Sequence, residues 1–87
     1  MRPAIVVGSP RMTGSLALVC PLTTTRRDYR WRVEIEPAHS NGLSQVSHVQ
    51  VEHVRSISTA RGVRRLGYVD GVTFEQIRVV LRILFDL

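Results

Sequence analysis

Hydroxyl and guanidinium side chains follow one another at the end of an apolar run. Directly after the apolar residues 15–20 come Pro21 and Leu22, and then Thr23, Thr24, Thr25, Arg26 and Arg27. Arg2 comes immediately before another apolar run, at residues 3–8. If the two runs pair as an antiparallel hairpin, Arg2 and Thr23 lie at the same end of the sheet. Arginine binds phosphate through two N–H donors and threonine adds an O–H donor, so the pattern predicts a phosphate site there.

The same residues also have an ordinary structural interpretation. Threonine is common in strands because its branched side chain suits a pleated surface. An arginine pair at a strand end is usually solvated, because long charged side chains are mostly exposed. Spacing alone leaves both interpretations open.

The charge of the chain favours an anionic partner. Of the 87 residues, 12 are basic and 7 are acidic, which gives a net charge of +5. All the basic residues are arginines, whose planar fork of donors matches phosphate geometry better than lysine does. A genome biased toward arginine explains the choice of arginine over lysine, but it does not explain the excess of positive charge. The balance therefore favours a nucleic acid or an acidic protein as partner.

Histidine and cysteine offer little further chemistry. His39, His48 and His53 are not clustered as metal ligands, and Cys20 is the only cysteine. The sequence therefore predicts no metal site, no cofactor and no internal disulfide. Because Cys20 lies in an apolar run, we expect a buried thiol in a protein of a reducing compartment.

Two neighbouring pairs of residues leave alternatives open. Glu52 and His53 are adjacent, and adjacent side chains on a strand point to opposite faces, so they need not act together. Glu52 is expected to pair with an arginine such as Arg55. Tyr29 and Trp31 could stack on bases, although Trp31 is expected in the core.

The sequence predicts several short strands and one helix. Together they form a single domain over residues 1–87. Strands are predicted at residues 3–8, 15–20, 30–36, 48–54 and 63–69. Residues 37–47 predict a surface loop, and 58–61 a turn. The strand at 48–54 changes phase at Val54, which indicates a bulge or bend near His53.

The C-terminal residues 70–87 predict an amphipathic helix. Either Asp70 caps its start, or Thr73 and Gln76 form a capping box. Its apolar stripe is broad enough for both the sheet and a partner chain. It is formed by Phe74, Ile77, Leu81, Leu84 and Phe85.

These elements predict a mainly β domain with a C-terminal helix, folded as a curved antiparallel sheet or a partly open barrel. No apolar run is long enough to cross a bilayer, and no signal peptide is visible. We therefore expect a cytoplasmic protein without a membrane partner.

Four segments, in this order and spacing, resemble the MazF/PemK/Kid toxins. They are RPAIVVGSP at 2–10, LALVCPLTTTRRDY at 16–29, EHVRSIS at 52–58 and RRLGYV at 64–69, and an apolar terminal helix follows them. The resemblance implies an SH3-like barrel that forms homodimers. It further implies a metal-independent endoribonuclease that cuts single-stranded RNA such as mRNA, and an acidic antitoxin that blocks it.

The resemblance also implies roles for individual residues. Arg2 would stabilise the phosphorane and help to protonate the leaving oxygen, and Thr23 would hold a phosphate oxygen. Glu52 falls where some members have an acidic base, although an arginine two residues earlier in those members is Gln50 here. His53 stands where the family often has glutamine. The predicted RNA-binding residues are Thr24, Thr25, Arg26, Arg27, Tyr29, Gln50, His53 and Arg55.

The start of the chain departs from the family. Members normally have an extra strand and a long loop before the arginine of RPA, whereas this sequence begins at Met1. The sequence therefore predicts an N-terminally shortened member. One alternative is a non-catalytic module of the same fold that binds antitoxin or RNA. Another is a topoisomerase-directed poison, which the pattern of Arg2 and Thr23 disfavours because such a protein needs no phosphate-cleaving arginine.

Overall fold

The computed structural model describes residues 3–7, 16–58 and 67–86. The elements within these ranges are β1 (Ala4–Val6), β2 (Leu16–Thr23), β3 (Arg32–Ile35), β4 (Ser47–Gln50), a 3₁₀ turn (Val51–His53), β5 (Arg55–Ser58) and α1 (Gly71–Leu84). The predicted mainly β domain with a C-terminal helix is confirmed.

Some predicted features lie outside the described residues. These are Arg2, the turn between the first two predicted strands, most of the predicted turn at 58–61 and most of the predicted strand at 63–69. Residues 67–69, which are described, are not part of a strand.

β2 is the central strand of the sheet. The neighbours run in the order β1-β2-β4-β3, and β5 also pairs with β2. Residues 16–19 of β2 pair with β5, and Leu22 and Thr23 pair with β4. β1 pairs along the other edge, opposite residues 19–21. Among the described strands no pairing joins β3 to β1, so the sheet is open.

β2 continues beyond the apolar residues through Pro21 to Thr23, so the first polar residue after Cys20 forms the end of the strand. The Leu22 N–H donates to Pro3 O at 3.1 Å, on the edge that faces β1. Backbone amides alternate between the two edges of a strand, so the missing N–H of Pro21 falls on the opposite edge. On that edge the pairing with β5 ends at Val19 and the pairing with β4 begins at Leu22. Pro21 lies in the gap between the two pairings, where the sheet needs no N–H from it.

The predicted strand at 48–54 is interrupted by the 3₁₀ turn. The turn contains three residues. The register of β5 against β2 is shifted by the same three residues from the register of β4 against β2. The Val54 N–H closes the turn on Val51 O at 3.2 Å, and Val51 is fully buried at 0% exposure. The bend predicted near His53 is confirmed, as a turn of 3₁₀ helix instead of a bulge.

The core lies between the sheet and α1, which contacts β3 and the 3₁₀ turn. Its buried members are Ile5, Cys20, Leu22, Val33, Ile35, Val49, Val51 and Ile77. Cys20 is a buried free thiol, as predicted. Burial, and to a smaller extent the charge of Glu52, raises its pKa to about 11, so the thiol stays protonated and unreactive at neutral pH.

α1 begins at the predicted cap, where Asp70 accepts a hydrogen bond from the Thr73 N–H at 2.7 Å. Ile77 is fully buried, and Phe74 and Leu81 are half-buried. The last two members of the predicted apolar stripe, Leu84 and Phe85, are exposed, so the sheet covers only part of that stripe. The described helix lacks the length and hydropathy needed to cross a bilayer.

The predicted surface loop at 37–47 is organised by Asn41. Its Oδ1 accepts two backbone N–H groups at 3.0 Å, and its Nδ2 donates to Glu36 O at 2.9 Å. Gly67 lies directly against this loop, and a Cβ atom there would be 2.3 Å from Ser40 O. The loop therefore supports the segment that leads into α1.

Candidate nucleic-acid interface

A groove of about 250 Å³ lies on the sheet formed by β1, β2 and β5. Cross-strand partners share a face of a sheet, so Ala4 and Pro21 lie on one face, and Ile5 and Cys20 on the core face. The floor of the groove is apolar and includes Ala4, Val19, Pro21 and Ile57. The groove thus lies on the side of the sheet that faces away from the core.

Three predicted RNA-binding residues, Gln50, His53 and Arg55, line this groove together. Gln50 ends β4, His53 ends the 3₁₀ turn and Arg55 begins β5. On a straight strand, Gln50 and His53 would point to opposite faces. The 3₁₀ turn therefore brings them onto one wall.

The predicted catalytic Arg2 lies outside the described residues. Its neighbour Pro3 lines the groove next to β1, which pairs with one edge of β2. The wall formed by the 3₁₀ turn and β5 lies at the other edge of β2. The groove therefore begins at the residue that follows Arg2.

Thr23 ends β2, where it pairs with His48 of β4. It is two residues beyond Pro21, and alternation along a strand places both on the groove side of the sheet. The Thr23 Oγ1 accepts a hydrogen bond from the Thr25 N–H at 3.1 Å. Because this bond uses Oγ1 as an acceptor, the hydroxyl proton is free to be donated to an anion.

Thr23 follows the lining residue Leu22 but does not itself line the groove, and neither do the remaining residues of the polar run. Thr24 and Thr25 form an exposed bend, and Arg26 and Arg27 follow in an exposed loop. Arg26 Nε lies 3.9 Å from Asp28 Oδ1, with side chains 78% and 97% exposed. An ion pair so exposed holds neither group firmly, so both arginines can turn toward a passing phosphate chain.

Glu52 is held by an arginine that the sequence analysis did not identify. Arg32 Nε and Nη2 donate to Glu52 Oε2 at 3.0 and 2.7 Å. The expected pairing of Glu52 with an arginine is therefore confirmed, although the partner is Arg32 and not Arg55. The Arg32 side chain is only 8% exposed and that of Glu52 22%. Burial raises the pKa of this carboxyl, but it is outweighed by the hydrogen bonds of Arg32 and of the backbone, with smaller contributions from the Trp31 side chain and the charge of Arg32, so the pKa lies below its usual value.

This ion pair fixes the wall of the groove. Arg32 is opposite Gln50 in the pairing of β3 with β4, and Glu52 is two residues beyond Gln50. The alternation of β3 predicts Arg32 on the solvent side, and only its register with β4 reveals a carboxylate within reach. The lowered pKa makes Glu52 a weak proton acceptor, so its surroundings favour a positioning role over the predicted role of base.

Tyr29 and Trp31 stack on each other, with ring centroids 4.9 Å apart and an interplanar angle of 11°. The guanidinium carbon of Arg32 lies 4.8 Å from the centre of the Tyr29 ring. Trp31 is half-buried and outside the core cluster, so its predicted place in the core is wrong. Tyr29 is 44% exposed, which leaves ring surface for a base.

The other histidines do not line the groove. His39 belongs to the loop at 37–47 and lines a separate surface depression, while His48 is buried in β4. Within the described ranges, no three His, Cys, Asp or Glu residues are grouped as metal ligands would be.

Comparison with known proteins gives a consistent match. Residues 1–85 match a family model described as PemK-like, MazF-like toxin of type II toxin-antitoxin system. A Mycobacterium tuberculosis toxin, MazF-mt6, is 26% identical with a TM-score of 0.82, over 99% of this chain and 87% of that chain. The MazE-MazF structure (Form-III) from Deinococcus radiodurans is 30% identical with a TM-score of 0.81, over 98% and 85%. The comparison with curated proteins gave no match.

Proposed function

Because this chain belongs to the PemK-like, MazF-like toxin family of type II toxin-antitoxin systems, we propose that it is a toxin that cleaves single-stranded RNA in the groove described above. The observation that carries the proposal is the composition of the groove wall. Gln50, His53 and Arg55 line the groove together with an apolar floor that includes Ala4, Val19 and Pro21. Polar and charged side chains thus stand beside an apolar surface, an arrangement that suits a nucleotide.

The chemistry that suits these residues is attack of a ribose 2′-hydroxyl on the adjacent phosphate. The O2′–P bond forms as the P–O5′ bond breaks, which leaves a 2′,3′-cyclic phosphate and a 5′-hydroxyl. Thr23 donates its free hydroxyl proton to a non-bridging oxygen as negative charge develops there. Arg2 adds charge-assisted hydrogen bonds to the same phosphate. Donors that are already in place when charge develops usually supply the largest catalytic contribution.

The exposed arginines supply affinity along the RNA backbone. Arg55 is exposed on the groove wall, and Arg26 and Arg27 follow the strand that ends at Thr23. Each neutralised phosphate releases counterions, so these contacts act on any sequence. Tyr29 stacks on a base through its exposed ring surface.

The partners we propose are an antitoxin and a second copy of the chain. The Deinococcus radiodurans relative was solved as a MazE-MazF complex, and the net charge of +5 suits an acidic protein here. α1 exposes the apolar side chains of Val72, Val79 and Ile83, a surface that supports a homodimer. We place the toxin in the cytoplasm, where its mRNA substrate is found.

The test is cleavage of a long 5′-labelled mRNA that contains many short sequence contexts. We expect cuts at a small set of sites in the presence of EDTA, with cyclic phosphate and free 5′-hydroxyl ends. A matched substrate with 2′-deoxyribose at the cut site should remain intact, because it lacks the nucleophile. Binding of RNA without any cut would reject the nuclease and favour the non-catalytic binding module.

A further inference from the structure

His53 lines the groove, where the proposed reaction needs a group that accepts a proton. The inference rests on the proposed function, because attack by a 2′-hydroxyl needs a group that takes its proton. Gln50 and Arg55 cannot do so, since an amide is not basic and a guanidinium stays protonated. Among the described residues that line the groove, His53 is the one whose side chain, an imidazole, has a nitrogen that can accept a proton.

The neighbouring carboxylate is engaged elsewhere. Glu52 Oε2 already accepts both hydrogen bonds from Arg32, and Oε1 is buried. Neither oxygen is therefore placed to take a proton from a nucleotide in the groove. Glu52 remains a fixed negative charge beside His53, with Oε2 4.0 Å from His53 Nε2.

The geometry points to His53 as the general base of RNA cleavage, held in place by the Arg32–Glu52 ion pair. A nitrogen of the imidazole takes the 2′-hydroxyl proton while O2′ bonds to phosphorus and the P–O5′ bond breaks. The 5′-oxygen takes a proton from water, and His53 releases its proton to water, so no proton is gained or lost overall. The Glu52 carboxylate stabilises the imidazolium that exists between these transfers.

The other charged groups near His53 do not replace it. Arg55 begins the next strand and shares the groove wall, where its side chain is exposed. α1 contacts the 3₁₀ turn, but its Glu75 and Arg78 pair with each other at 3.5 Å. The titratable group of the described part of β2, Cys20, is buried on the core face.

The decisive experiment compares His53→Gln and His53→Ala with the parent chain on the same RNA. His53 is exposed, so both variants should fold. At saturating RNA we expect the single-turnover rate to fall by about 100-fold or more in both, as for loss of a general base. Affinity for RNA with a 2′-deoxy cut site should change less than about threefold, because the phosphate contacts remain. The rise in rate between about pH 5 and 8 should disappear, and added imidazole should restore part of the rate of His53→Ala.

His39→Ala is the matched control, because His39 is also an exposed histidine but lies in the separate loop at 37–47. It should keep the parent rate and pH profile. A His53→Gln rate close to that of the parent, or a lower rate with the pH dependence preserved, would overturn the assignment of the base while leaving the nuclease intact. A parent chain that cuts no RNA would instead reject the nuclease and the base together.

Discussion

Thr23 shows how one hydrogen bond prepares a side chain for its proposed role. Its oxygen is the acceptor for the Thr25 N–H at 3.1 Å, which orients the side chain and leaves the hydroxyl proton to be donated to a phosphate oxygen. We expect Thr23→Ala to lower the cleavage rate at saturating RNA by about 10²–10³, as for a lost oxyanion donor. RNA affinity should fall much less, which separate rate and binding measurements would reveal.

Thr23→Ser is the matched control, because serine keeps the hydroxyl and can accept the same backbone hydrogen bond. Its rate should stay within about tenfold of the parent, since the transition-state donor remains. Equal losses in the serine and alanine variants would instead assign Thr23 a packing role.

Glu52 makes stability depend on pH. Its pKa is lower in the folded chain than in the unfolded chain, where glutamate titrates near pH 4.3, so the ionised carboxylate stabilises the fold above that pH. This stabilisation is lost as pH falls through the lowered folded pKa. We expect Glu52→Gln to reduce the free energy of unfolding at pH 7 by about 1–3 kcal/mol, with the difference shrinking toward acid.

Chemical denaturation across pH measures this difference. The control is Glu34→Gln, since Glu34 is exposed on the same strand as Arg32 and should change stability by less than about 0.5 kcal/mol. A difference between Glu52→Gln and the parent that stays constant down to pH 3 would show that the charge of Glu52 does not stabilise the fold.

At the scale of single elements, Gly67 and Gly71 form a contrasting pair. A Cβ at Gly67 would meet Ser40 O at 2.3 Å, whereas a Cβ at Gly71 meets nothing within 4 Å. Backbone atoms cannot yield as a flexible side chain can, so Gly67→Ala should lower stability by more than about 2 kcal/mol. Gly71→Ala begins α1 with a better helix former and should leave stability unchanged or raise it by up to about 1 kcal/mol.

Thermal melts of the two variants measure this contrast, since each adds the same methyl group. Equal shifts in melting temperature for Gly67→Ala and Gly71→Ala would show that the close contact between Gly67 and the loop at 37–47 is not present.

The elements also show what the sequence could predict. Alternation at Val33 and Ile35 and the cap at Asp70 were sufficient for β3 and α1, because period and capping are local properties. The change of partner from β5 to β4 at Pro21 was not predictable, because it depends on the register of β2 with both strands. The phase change at Val54 indicated a bend, but the register shift that it produces involves a second strand.

The candidate site follows the same division. The positions of Arg2 and Thr23 at strand ends indicated a phosphate site, and the resemblance supplied their catalytic roles. The sequence placed Gln50, His53 and Arg55 near one another along the chain. The partner of Glu52 was missed because Arg32 is 20 residues away and becomes a neighbour only through the pairing of β3 with β4. Long-range register is set by the whole sheet, and short-range patterns do not contain it.

For the whole molecule, the net charge of +5 raises the question of which arginines meet the RNA. Arg26 and Arg27 are exposed just after Thr23, and the only ion pair described for either is the long one to Asp28. If each contacts a phosphate, Arg26→Ala or Arg27→Ala should lower the slope of log affinity against log salt by about 0.7. Binding should weaken similarly for all single-stranded sequences, because phosphate contacts carry no base information.

Arg78→Ala separates local contact from total charge. Arg78 is exposed on α1 and paired with Glu75 at 3.5 Å, so its loss changes the net charge by the same amount without removing a groove-side arginine. Screening confines a surface charge to about 8–10 Å at physiological salt, so a charge that does not meet the RNA should leave the slope unchanged. Titrations of a 2′-deoxy-blocked RNA at several salt concentrations measure all three variants without cleavage. If Arg78→Ala lowers the slope as much as Arg26→Ala does, RNA binding follows total charge and the path proposed beyond Thr23 is wrong.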